Sequence, residues 1–224
     1  MHDFKLIDKD IIMKRNFLFA LTLVALVGCQ SAYYGAMEKV GIHKRDILVD
    51  RVEDTRDAQN EAQQQFNSAL EELSALINFN GGELETIYNN LNDQYVASTE
   101  AKELVSKRID NVESVAQALF SEWEDEIDQY SNATFKRNSS KQLSDTKRLY
   151  ARMLRSMHQS EKKMDPVLAA LNDNVLYLKH NLNANAVNAI EVEFKQLKQE
   201  IATLIKEVNQ SIAESNKFIE TLSK

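Results

Sequence analysis

At 224 residues, with 27 Lys and Arg against 34 Asp and Glu, the chain carries a formal net charge of −7. That balance argues against nucleic acid or a broad anionic lipid surface as partner, because phosphate binding draws on clustered Lys and Arg. A single cysteine excludes an intramolecular disulfide, and five Gly with one Pro leave too few turn signals for a chain of strands.

The first twelve residues carry Asp3, Asp8 and Asp10, untypical of a basic leader start, whereas Met13-Lys14-Arg15 fits one directly. Met13 is therefore the expected initiator, with Met1 as the alternative. Asn16 to Val27 supplies only twelve residues, short of the roughly 20 that a spanning helix needs, so the run reads as the core of a signal peptide. It closes on Leu26-Val27-Gly28-Cys29, and Cys29 is the lone thiol of the chain. This arrangement resembles the lipobox of bacterial prolipoproteins. The resemblance implies cleavage between Gly28 and Cys29, diacylglyceryl transfer to the Cys29 sulfur and acylation of the freed amine. It further implies delivery to the outer membrane, since Gln30 stands where an Asp would retain the product at the inner membrane. Several acyl chains anchor durably because each buried methylene contributes about 0.8 kcal/mol. Removing residues 1–28 takes away four cations and three anions and leaves a body of formal charge −8.

Residues 29–46 read as a lipid tether and membrane-proximal segment. Tyr33 and Tyr34 suit the headgroup level and Lys44 and Arg45 suit lipid phosphates; the plainer reading is a linker that packs on the bundle end. The run from Tyr33 through Lys44-Arg45-Asp46-Ile47-Leu48-Val49-Asp50-Arg51-Val52 is similar to the opening of a family of uncharacterised proteobacterial lipoproteins, a domain of unknown function. The similarity extends over the mature chain and implies a localisation, but no activity, cofactor or catalytic residue.

From residue 47 to 224 the spacing predicts an all-α domain: apolar residues recur at alternating intervals of three and four in four blocks. The first holds Leu48, Val52, Ala62, Phe66, Ala69, Leu73 and Leu76, with Thr55 and Gln59 as polar seam positions, and ends at Gly81-Gly82. The second runs from about Glu83 to Tyr130 through Val105, Ile109, Val112, Ala116, Leu119, Trp123 and Ile127. Polar Ser131 to Ser139 reads as a turn. The third carries Tyr150, Leu154, Met157, Met164, Leu168, Leu171, Val175, Leu178 and Leu182. Pro166 inside it predicts a kink, or a restart capped by Asp165. The fourth holds Ile190, Phe194, Leu197, Ile201, Leu204, Val208, Ile212, Phe218 and Leu222. Helices of roughly 37–48 residues would each be about 55–70 Å long. Short connections make them long antiparallel hairpins, an elongated up-down-up-down four-helix bundle or coiled-coil rod.

Glu122, Glu124, Asp125, Glu126 and Asp128 crowd around Trp123. One reading is a docking face for a basic partner anchored by Trp123; the other makes Trp123 a seam residue and the carboxylates a solvated face. No metal site or cofactor is expected. His43, His158 and His180 do not pair at helical spacing, and the one His-x-x-Glu, His158 with Glu161, is a pattern that long charged helices produce by chance. Met153, Met157 and Met164 beside His158 would suit Cu(I), but Met at helical spacing is ordinarily core filler. No nucleophile motif is present. The pattern therefore predicts a lipid-anchored periplasmic scaffold or adaptor of the outer membrane with an envelope protein partner and no catalysis. The alternative is a bundle that carries lipid or other apolar cargo, and pairing of seams between copies stays open.

Overall fold

The computed structural model describes residues 43–77, 84–181 and 184–222, without the side chains of 184–188. The chain divides into two compact units, Met1–Ile47 and Leu48–Lys224, and the packing below is that of the second. Among the described residues there are four helices: α1 (Lys44–Ile77), α2 (Leu84–Gln129), α3 (Ala133–His180) and α4 (Ala184–Leu222). Among the described residues there is no strand, and no helix is long and apolar enough to cross a membrane. The Gly81-Gly82 break and Leu182 lie outside the described residues.

Cross-helix pairs set the topology. Asp54 and Gln65 of α1 meet Arg108 and Gln94 of α2. Lys102, Glu113 and Trp123 of α2 meet Asp165, His158 and Ser139 of α3. Arg152 of α3 meets Glu214 of α4, and Arg56 of α1 meets Asn216 of α4. With Tyr150 of α3 on Phe218 and Gln59 of α1 on Ser211 of α4, later residues on one helix face earlier residues on the other throughout, so sequential neighbours run antiparallel and α4 returns beside α1. This is an up-down-up-down four-helix bundle.

Seam positions of α1 are all buried, from Leu48 to Leu76, and so are its two polar members Thr55 and Gln59. In the other helices the buried stripe departs from strict three-four spacing. Phe120 rather than Leu119, Met153 rather than Leu154, Val167 rather than Leu168 and Ser211 rather than Ile212 are the buried members. Trp123, Tyr150 and Phe194 are half-buried and Tyr130 is exposed. The cause is geometric: an α-helix has 3.6 residues per turn, so a 3.5-residue seam drifts around a long helix by about 20° per heptad. Helix α3 also packs against more than one neighbour, which widens its buried arc.

Two expectations are corrected. Ser131 to Ser139 is not a long turn: α3 already starts at Ala133, because Asn132 Oδ1 accepts from the backbone N–H of Thr134 at 2.9 Å and Phe135 at 3.1 Å, satisfying donors that a bare N-terminus leaves open. Nor does the chain restart at Asp165, since α3 is one helix through Pro166. Its missing N–H leaves the Lys162 carbonyl without a helical donor, while buried Met164, Val167 and Leu171 hold both sides in one core. The helix ends at Asn181, whose N–H donates to the Leu178 carbonyl at 3.0 Å.

Candidate functional site

Of the residues singled out in the sequence, Gly28, Cys29, Gln30, Tyr33 and Tyr34 lie outside the described residues. Lys44 and Arg45 open α1, with the Arg45 guanidinium 3.6 Å from Asp46. Trp123 is half-buried and its indole N–H donates to Ser139 Oγ at 2.8 Å, tying the end of α2 to the first turns of α3. The carboxylates around it are partly engaged by the same helix: Glu124 pairs with Lys147 at 2.6 Å and Asp128 with Lys136 at 3.0 Å. Asp125 and Glu126 face solvent. Beside them an aromatic cluster joins three helices, Tyr150 meeting Phe120 edge-on at 5.3 Å and Phe218 at 6.0 Å. Burial, with the Glu113 charge adding to it, pushes the Tyr150 phenol well above its ordinary range.

Midway along the bundle, His158 sits between two carboxylates, Nε2 at 2.7 Å from Glu113 Oε1 on α2 and Nδ1 at 3.1 Å from Glu161 Oε2 on its own helix. Ser106 Oγ donates to the other Glu161 oxygen, and Lys102 reaches Asp165 at 3.5 Å. Burial alone would lower the imidazole pKa, but the hydrogen bonds and charges of Glu161 and Glu113 outweigh it and raise the value. Burial would raise the Glu161 pKa, and here too it is outweighed, by the Ser106 and His158 hydrogen bonds, so that carboxyl titrates lower than usual. When protonated, the ring donates to both carboxylates and clasps α2 to α3. His158 is about half exposed, whereas Met153, Met157 and Met164 are fully buried, so thioethers and imidazole do not converge. Among the described residues no group of three or more His, Cys, Asp and Glu side chains is placed to hold a metal ion.

Two features were not foreseen as sites. A polar layer lies within the core: Gln59 of α1, fully buried, donates from Nε2 to Ser160 of α3 at 2.8 Å and to Ser211 of α4 at 3.0 Å, and Ser211 Oγ lies 3.1 Å from Gln59 Oε1. Ser160 in turn donates to the Met157 carbonyl. The second is a groove of about 530 Å³ between α3 and α4, running from Pro166 to Tyr177 on one wall and from Ala189 to Glu200 on the other. Its residues are up to 34 positions apart and only antiparallel packing brings them together, which is why no local motif announces it.

Four long antiparallel helices around a Leu, Val and Met core, crossed by the Gln59 layer and tied at the surface by ion pairs, define an all-α helical-bundle protein. The chain belongs to the DUF2959 family, described as a protein of unknown function, whose model matches residues 33–222. That span takes in the Tyr33 to Val52 run. No curated protein and no solved structure matches the chain.

Proposed function

We propose that the protein is a lipid-anchored scaffold or adaptor on the periplasmic face of the bacterial outer membrane, grafted through Cys29 and touching an envelope protein partner through its helical body. The observation that carries this reading is the Lys14-Arg15 start, short apolar core and Leu26-Val27-Gly28-Cys29 close in a chain with no other thiol. The family match begins at Tyr33, just past that close, which suits a leader that is removed. No described helix is apolar enough to cross a bilayer, so a bundle held at a membrane needs an anchor outside the described helices. A scaffold role, rather than cargo carriage, is supported by the closed core: Phe66, Phe218, Leu73, Met157 and Leu171 are already fully buried, and cargo would have to displace them.

Mass spectrometry of the protein purified from its native membranes tests the anchor. The expected product starts at Cys29 with the mass of three acyl chains and glycerol; a bare thiol with residues 13–28 attached would overturn the address. Crosslinking in intact envelopes tests the adaptor role, which fails if no protein or peptidoglycan partner is recovered.

A further inference from the structure

We propose that the groove between α3 and α4 is a docking site for a cationic amphipathic helix of a partner protein. The inference rests on the adaptor reading and names the chemistry of what it adapts to. The floor and walls are Pro166, Ala169, Ala170, Ala189, Ile190 and Tyr177, the last 43% exposed. Alanine at three of these places lets another helix approach closely. Each wall runs about 16 Å at 1.5 Å rise per residue, the length of three helical turns, so the groove matches a helical segment rather than a compact small molecule.

Polarity selects the occupant. Asp173, Glu193 and Glu200 line the groove, and among the described residues no Lys, Arg or His does. Asn174 is 5% exposed and gives one Nδ2–H to the Ala170 carbonyl at 2.7 Å. Gln196 gives one Nε2–H to Glu200 at 3.0 Å. Each amide keeps a second N–H beside its acceptor oxygen, so the uncharged groups suit either kind of partner and the charges decide. At one end the Lys162 carbonyl has no helical N–H because Pro166 stands four residues on. The site is therefore an apolar floor edged by three carboxylates, and its negative charge selects the occupant. Such a surface repels an anionic lipid headgroup and a second copy of this acidic chain, and it fits Leu- and Lys-bearing turns.

The probe is a fluorescein-labelled helical peptide with Leu at three-four spacing and Lys elsewhere, beside a matched peptide with Glu for Lys. Binding is read by anisotropy on the full chain in phosphatidylcholine nanodiscs, with empty discs subtracted. The Lys peptide is expected to bind at least 30-fold tighter than the Glu peptide. Reversal of the groove as Asp173→Lys, Glu193→Lys and Glu200→Lys should weaken it at least tenfold. So should the plug Ala169→Trp, which leaves every charge in place at an exposed position. The control Glu122→Lys, Asp125→Lys and Glu126→Lys, with the same charge change on α2, should weaken it less than threefold. Equal losses from the two reversals would reduce the effect to diffuse acidity and overturn the proposal; so would an unaffected plug or indifference to peptide charge. None of these outcomes alters the Cys29 mass or the envelope crosslinks, so the groove and the adaptor reading can fail separately.

Discussion

Replacing Gln59 by Ala should be among the most damaging single changes in the bundle, although it removes no apolar residue. The side chain is fully buried and bridges three helices through Ser160 and Ser211. Truncation deletes four heavy atoms from a packed interior, comparable with a Leu→Ala change at about 2–5 kcal/mol. It also strands the Ser211 hydroxyl, which is paired with the Gln59 amide, at about 1–3 kcal/mol for a buried group left unpaired. Relaxation and the hydrogen bond Ser160 keeps to Met157 offset part of this. The expected loss is about 3–5 kcal/mol, or about 6–20 °C in Tm for a chain of this length. The triple change Gln59→Leu, Ser160→Ala and Ser211→Ala should stay within about 1 kcal/mol of the parent, because no polar group is then left behind. Urea unfolding followed by helical circular dichroism measures both. A single variant within about 1 kcal/mol of the parent, or a triple variant as weak as the single one, would refute the assignment of the layer as a mutually satisfied unit.

Three further outcomes follow from the same structure. Ser98 and Ser156 have buried Oγ atoms with no hydrogen-bond partner, so Ser98→Ala and Ser156→Ala should each stabilise by about 0.5–2 kcal/mol, from relief of the stranded hydroxyl and higher helix propensity; a lowered urea midpoint would contradict this. Pro166 is exposed inside a continuous helix, and Pro166→Ala should raise stability by about 1–3 kcal/mol, since Pro in a helix interior costs about 3 kcal/mol against Ala. The His158 clasp sets a pH window. A raised imidazole pKa adds stability below the unfolded value of 6.5, lost as pH rises through the folded value; the lowered Glu161 pKa adds stability above 4.5, lost as pH falls through its folded value. His158→Gln should therefore cost more at pH 5.5 than at pH 8.5, and equal midpoint shifts at the two pH values would remove the clasp from the account.

The fold was largely legible because Leu, Val and Met recur at helical spacing for tens of residues with almost no Gly or Pro to interrupt them. Even the buried Thr55 and Gln59 were marked by phase alone. What spacing could not supply was the drift of the stripe: Val167 and Met153 displace Leu168 and Leu154 because a long helix turns relative to its partners. Polar composition misled at Ser131 to Ser139, where it marks a solvent-facing first stretch of helix rather than coil. The cross-helix layer was half visible, since Gln59 stood on the seam, yet nothing local indicates that Ser160 and Ser211 arrive beside it. The groove was invisible for the same reason: Asp173 and Glu193 become neighbours only after α3 and α4 fold back on each other.

Helix α3 meets α2 through His158 and Trp123, α1 through Ser160, and α4 through Tyr150 and Arg152. A strut braced from three directions resists peeling. Amide exchange should be slowest in its middle and in the stretch of α1 around Gln59, which also meets all three other helices, and a protease should nick the helix ends well before it opens these segments.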